Sequence, residues 1–105
     1  MIARIWNARA EAANTERYRT HLRDAVLPQV RSLPGYQGAT LLERQDGGET
    51  EITVITLWRS LDDIRAFAGE AIERAVVTDD ARGLLASFDS EVRHCRVALQ
   101  DAPSG

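Results

Sequence analysis

Apolar residues alternate loosely with polar ones over 2–10, "IARIWNARA", which predicts a first strand carrying Ile5 and Trp6. After Asn14, a helix N-cap with Glu16 in the first turn, the period changes. Tyr18, Leu22, Val26, Val30 and Leu33 recur at close to four residues and mark one face of a helix. Pro28 lies inside that stripe, removes a backbone donor, and predicts a kink or a separate last turn. "LPGYQG" at 33–38 breaks the helix, 36–45 reads as a second strand, and "DGGE" at 46–49 carries hairpin-turn chemistry. The third strand, "TEITVITLW" at 50–58, is rich in β-branched residues.

Ser60 caps a second helix, with Asp63 as the acidic half of a capping box. Leu61, Ile64 and Phe67 share a face of that helix, and Gly69 ends it. Periodicity fades over 70–78. "TDDARGLLASF" at 78–88 predicts a short capped helix ending near Ser87, and "EVRHCRVAL" at 91–99 a last strand. A single domain over 1–100 with a frayed, disordered tail at 101–105 follows. The order βαββαβ is most economically a ferredoxin-like α+β fold, a four-stranded antiparallel sheet with helices on one side.

The strand faces carry a further message. In the last strand Cys95, Val97 and Leu99 form an apolar face, opposite Val92, His94 and Arg96. In the third strand both faces are apolar, with Ile52, Val54 and Trp58 on one and Ile55 and Leu57 on the other. Helices cover one side of such a sheet, and a solvated second side alternates cleanly with polar residues. This pattern therefore predicts a homodimer in which a second copy covers the remaining face.

Composition narrows the function classes. With 105 residues, a net charge of −3 and 13 basic residues, all arginine and scattered among acids, nothing marks a nucleic-acid surface. No run approaches a membrane span, and the lone Cys95 fits a reducing compartment, so a cytoplasmic protein is expected. Two histidines, His21 and His94, with one cysteine form no recognisable metal-ligand cluster, and no metal or cofactor is expected. Gly47 and Gly48 sit in a hairpin rather than a phosphate loop, and no serine lies in a nucleophile elbow.

What remains is a set of polar and aromatic residues on strands that should be buried. Asn7 sits mid-strand, where an amide needs partners and could donate to a ligand carbonyl or to reduced oxygen. Trp6 and Trp58 are either core fillers or the flat wall of a pocket for a planar ligand. His94 has a permissive pKa but reads equally as an interface or solvated residue. Arg65 and Arg74 could meet an anion at a pocket rim, although a solvated helix face explains them as well.

The order of elements, with "LPGYQGATLL" and "TLWRSLDDIRAFAG", resembles the antibiotic-biosynthesis-monooxygenase (ABM) superfamily over about residues 2–99. The resemblance is carried by Pro34, Gly35 and Gly38 before strand two, by Trp58 and Ser60 at the step into helix two, and by Phe67. It implies ferredoxin-like subunits whose sheets pack as a dimeric α/β barrel, with a cavity between sheet and helices. In one branch, which oxidises anthrone-type substrates with O2 and neither metal nor flavin, a tryptophan ends strand three, as Trp58 does. Val54 and Ile64 stand where that branch has an asparagine and a tyrosine. A second branch degrades haem. Asn7 matches its strand-one asparagine, whereas Phe67 and Val77 fall where it has a tryptophan and an iron-ligating histidine, so haem degradation is not expected.

The expectation is a cofactor-independent monooxygenase acting on a small planar phenolic, quinol or polyketide-like molecule. Asn7 and Trp58 are the candidate catalytic residues, and Trp6, Val54, Ile64, Phe67, Val77 and His94 the candidate substrate wall. The alternative is a non-catalytic dimeric module that binds a small apolar or aromatic ligand.

Overall fold

The structure, a computed structural model, describes residues 1–103. The last two residues of the expected tail, 104–105, lie outside the described residues, and 101–103 form no helix or strand. Strand β1, Ile2–Glu11, runs through the centre of one antiparallel sheet. A 3-10 turn, Ala12–Asn14, leads into helix α1, Thr15–His21. Asn14 precedes that helix as expected but makes no side-chain capping bond, because the 3-10 turn already carries the chain into it.

The expected kink takes the form of a π turn, Leu22–Val26, followed by the short helix α2, Leu27–Val30. Pro28 is the physical cause: it has no N–H for the carbonyl four residues back, and its ring crowds that carbonyl, so the helix widens before it.

Strands β2, Tyr36–Asp46, and β3, Glu49–Trp58, form the predicted hairpin, with Gly47 at φ +64° in its turn. Helix α3, Leu61–Ala68, begins on the Ser60 side chain, which accepts from the Asp63 N–H at 3.2 Å, and ends at Gly69 with φ +84°. The sheet order is β2-β3-β1, with the outer position beside β1 shared by two short strands, β4 (Ser87–Phe88) and β5 (Arg93–Arg96). This is the ferredoxin-like α+β arrangement.

Two expectations about the C-terminal quarter are corrected. The helix expected over 78–88 is only α4, Asp79–Arg82, capped by Thr78, whose hydroxyl accepts from the Ala81 N–H at 3.1 Å. It stops at Gly83, and the bond from the Ala86 N–H to the Arg9 carbonyl draws the chain onto the sheet edge instead. The last strand is four residues long rather than spanning 91–99, and the face it turns to the helices is that of Val92 and His94, not the more apolar one. Val92 is buried and His94 half-buried beneath the helical layer, whereas Cys95 is exposed and Leu99 87% exposed. The pairing of Arg4 with His94 fixes this, because residues paired across a ladder share a face.

Ile2, Arg4, Trp6, Ala8 and Ala10 of β1 thus face the helices, together with Thr50, Ile52, Val54, Thr56 and Trp58 of β3. Ala3, Ile5, Asn7 and Arg9 share the other face with Glu51, Thr53, Ile55 and Leu57. The core has two parts. One gathers Ala8, Tyr18, Leu22, Ile52 and Val54; the other gathers Val30, Trp58, Ile64 and Ile72.

Candidate functional site

A cavity of about 530 Å³ lies between the helix-facing side of the sheet and the helical layer. Arg4, Trp6, Val54 and Thr56 form part of its floor. Tyr18, Leu22, Val26 and Leu27 come from α1, the π turn and α2, so the widened backbone before Pro28 is a piece of the wall. Phe67 of α3 and Val76, Val77 and Thr78 of the irregular segment close another side. The lining is mainly apolar with a few polar groups, the ordinary constitution of a small-molecule site.

Four of the expected wall residues, Trp6, Val54, Phe67 and Val77, line this cavity. Trp6 is fixed by its indole N–H, which donates to the Asp89 carbonyl at 2.8 Å, and by tilted contacts with Tyr18 and Phe88. Tyr18 is buried, and that burial pushes its phenol up to about 12, so the hydroxyl keeps its proton at neutral pH.

Trp58 and Ile64 lie behind the wall, both fully buried. The Trp58 indole donates to the Thr56 hydroxyl at 2.9 Å, meets Tyr36 edge-on at 5.6 Å, and stacks against Phe67. His94 also stands behind the lining, bonded to Arg4.

Asn7 is not brought together with the others. It is exposed on the opposite face of the sheet, where its side-chain carbonyl accepts from the Thr53 hydroxyl at 2.7 Å. The sequence placed it under the helices, but Trp6, its neighbour, takes that side, and alternation sends Asn7 away.

Arg4 is the residue that the sequence did not single out. It is 4% exposed. Its Nη1 donates to the Ile72 carbonyl at 2.6 Å and to His94 Nε2 at 2.9 Å, and its Nη2 donates to the Arg74 carbonyl at 2.7 Å. Its guanidinium also lies over the Phe67 ring, 5.6 Å from the centroid. These bonds tie the irregular 70–76 segment to the centre of the sheet. Burial lowers the Arg4 pKa to about 10, with Glu73 opposing the shift, so the group stays charged at neutral pH. Burial and the Arg4 charge lower the His94 pKa, which keeps the imidazole neutral and able to accept from Arg4. The signal that could have found Arg4 was parity, since it shares the strand face of Trp6 and Ala8.

Arg65 and Arg74 do not take the rim role considered for them. Arg65 pairs with Asp62 on the exposed side of α3, and Arg74 contributes a backbone carbonyl to Arg4. His21, at the cavity margin, bonds through Nε2 to the Thr78 hydroxyl at 2.9 Å. Among the described residues no group of three or more His, Cys, Asp or Glu side chains is placed to hold a metal ion, and no helix is long and apolar enough to cross a membrane.

A family model described as "Antibiotic biosynthesis monooxygenase" matches residues 1–79. No curated protein matches the chain in sequence. Among solved structures, the heme-degrader MhuD from Mycobacterium tuberculosis, with two hemes bound in its active site, is 22% identical with a TM-score of 0.62, over 97% of this chain and 100% of that one. A second MhuD structure, with two manganese protoporphyrin IX bound per active site, is 20% identical with a TM-score of 0.70, over 98% and 100%. The monooxygenase from the gene ActVA-Orf6 of Streptomyces coelicolor, in complex with nanaomycin D, is 14% identical with a TM-score of 0.61, over 96% and 92%. At these identities the likeness concerns the fold.

Proposed function

This chain belongs to the antibiotic biosynthesis monooxygenase family, and on that premise we propose that it is a cofactor-independent monooxygenase that uses O2 on a small planar phenolic, quinol or polyketide-like substrate. The observation that carries this is the cavity itself, whose Trp6 and Phe67 offer aromatic surface to a flat ring system within an otherwise apolar wall. A nanaomycin D complex of a relative with the same fold supports the substrate class.

An enolisable ring system supplies its own electrons. For an anthrone-type CH2 carbon, loss of a proton gives a carbanion that reduces O2. One oxygen atom becomes the new carbonyl, and the other leaves as water with the two hydrogens of that carbon. The protein's part is to hold the ring, exclude water and orient the oxygen. In this proposal Trp6, Val54, Phe67 and Val77 bind the ring. Trp58 and Ile64 hold Phe67 and α3 in position from behind.

Haem is the ligand of MhuD, and haem degradation is the alternative outcome. In this chain both imidazoles have Nε2 engaged, His94 with Arg4 and His21 with Thr78, which favours the smaller aromatic substrate.

We also propose that the open sheet face, with Ala3, Ile5, Ile55 and Leu57 half-buried and Leu42 50% exposed, is where a second copy packs.

An oxygen electrode with a panel of anthrones, naphthoquinols and simple hydroquinones tests the function. Uptake of O2 that requires the native chain, persists in the presence of a chelator and is absent with heat-denatured chain supports the oxygenase. Saturable binding without uptake points to the non-catalytic binding module. A shifted Soret band on haemin titration, with haem loss under a reductant, points to haem degradation.

A further inference from the structure

Six arginines of the chain, Arg9, Arg19, Arg23, Arg44, Arg59 and Arg65, pair with carboxylates near the surface. Arg4, the buried one, has no ion pair among the described residues. Its partners are two backbone carbonyls and a neutral imidazole. Glu73 is near enough to favour its charged form but makes no ion pair with it, and Asp80 of α4, itself exposed, lines the cavity. A guanidinium removed from water is normally matched by an acid. Here it is left charged without an ion pair, beside an apolar cavity that can hold a ligand.

The bonds to Ile72, His94 and Arg74 leave the Nε hydrogen and one Nη2 hydrogen without a partner among the described residues. The contacts of the other hydrogens hold the guanidinium in one orientation, and His94 serves this purpose only while neutral, since an imidazolium could not accept from Arg4.

We propose that Arg4 is the anion-recognition residue of the cavity, and that the ligand is a planar aromatic whose ring oxygen is bound as the phenolate or enolate, paired with the Arg4 guanidinium. The proposal rests on the cavity being the substrate site and adds the ionisation state to it. Binding the anion does two things. It supplies the missing counter-charge, and it presents the electron-rich form of the ring, the one from which O2 accepts an electron. The aromatic body lies against Phe67, over whose ring the guanidinium is already placed.

The test uses 7-hydroxycoumarin, whose fluorescence distinguishes phenol from phenolate, and its methyl ether 7-methoxycoumarin, which cannot ionise. Neither requires O2 chemistry. With the wild-type chain, ionisation of the bound hydroxycoumarin should fall by about one to two pH units, and at mildly alkaline pH it should bind about tenfold or more tighter than the ether. Arg4→Gln should abolish both effects, so that hydroxycoumarin and its ether bind that variant within about twofold of each other. Arg4→Lys should retain part of the preference, because the charge remains although the planar fork is lost.

A bound dye that ionises at its free-solution pH overturns the proposal, as does failure of wild type to bind either coumarin. So does a folded Arg4→Gln chain, checked by circular dichroism, with the wild-type preference. Should Arg4→Gln not fold, the wild-type shift and the Lys variant decide, and total loss of preference in a folded Lys chain counts against the pairing. Protein-dependent O2 uptake without a dye shift would leave the oxygenase standing and remove Arg4 from recognition. A dye shift without uptake on any quinol would do the reverse.

Discussion

The indole of Trp58 and the ring of Phe67 stack with centroids 5.4 Å apart and planes 26° apart, and of the two Phe67 alone lines the cavity. Trp58 is fully buried, and its other aromatic contact is Tyr36 on the neighbouring strand. The pair therefore divides two tasks. In the proposed function Phe67 meets the ligand, and Trp58 fixes where Phe67 stands.

That division predicts different outcomes for the two side chains. Trp58→Ala should destabilise the chain by about 3–5 kcal/mol, the usual loss for a large aromatic in a packed core. Trp58→Phe should retain most of that stability and, if folded, still bind the ligand. Phe67→Ala should cost less, about 1–2 kcal/mol because the residue is half-buried, yet weaken ligand binding at least tenfold. Urea denaturation followed by a binding titration checks both. Equal stability loss at the two positions would contradict the assignment.

Gly35 is a second position where close approach decides the residue type. It has φ +81°, and a β-carbon built there would lie 2.2 Å from Asp63 Oδ2 and 2.6 Å from Asp63 Cβ. Asp63 cannot simply swing away, since its carboxylate is held by Arg59 and the Ser60 hydroxyl. Gly35→Ala should therefore cost about 2–4 kcal/mol, combining backbone strain with loss of this cap network. Gly47, with φ +64° and open space around it, is the control, and Gly47→Ala should cost about 1 kcal/mol. Thermal unfolding of the two variants separates crowding from backbone strain alone.

How far the sequence revealed all this depended on whether the deciding force was local. The Ser60 cap, the Gly47 turn, the Pro28 interruption and the β-branched run of β3 rest on neighbours in the chain, and each was legible. Alternation likewise divided β1 into two faces, but it carried no sign of which face the helices would cover. Ile5 and Trp6 make both sides look buried, so the sequence marks Asn7 as a cavity candidate and leaves Arg4 among the scattered charges. The same ambiguity holds for the last strand. Cys95, Val97 and Leu99 are the more apolar set, yet registry with Arg4 places His94 inward. The 70–78 segment had no periodicity to read, because distant bonds hold it. These run from Arg4 to its carbonyls, and from the Ala75 and Val92 N–H groups to the Ser90 and Glu73 carbonyls.

The Arg4–His94 contact predicts a pH dependence of stability. The folded chain holds the His94 pKa below the value of an unfolded imidazole, about 6.5. The unfolded state therefore binds a proton first as pH falls, and stability rises with pH wherever it holds more protons than the fold. His94 contributes its full share above that unfolded pKa, and the share is lost progressively as pH drops from there toward the folded value. Urea midpoints measured between mildly alkaline and mildly acidic pH should fall on acidification. His94→Gln, whose amide oxygen can still accept from Arg4, should flatten that part of the profile. An unchanged slope in the variant would show that other groups cause the fall.

The open sheet face yields the last prediction. Ile5, Thr40 and Ile55 lie side by side across the strands, as do Ala3, Gly38 and Leu57, so the middle of the face is largely apolar. At its hairpin end Arg9 bonds Asp46, Glu49 and Glu51, and Arg44 shares Glu51, which closes the apolar area with a charged border. A second copy placed there would bury apolar surface while leaving the border wet, the pattern of a homodimer interface. Wild type should then sediment at twice the 11.6 kDa of the chain, with a melting temperature that rises with protein concentration. Leu57→Asp would set a carboxylate from each copy into that apolar centre and should give a chain of single mass whose melting temperature no longer depends on concentration. The substitution leaves the helix-covered face untouched, so a monomeric variant that still binds the coumarin dye would place the ligand cavity within one subunit. Sedimentation of the wild type at 11.6 kDa at high concentration would show that a second copy does not cover the face.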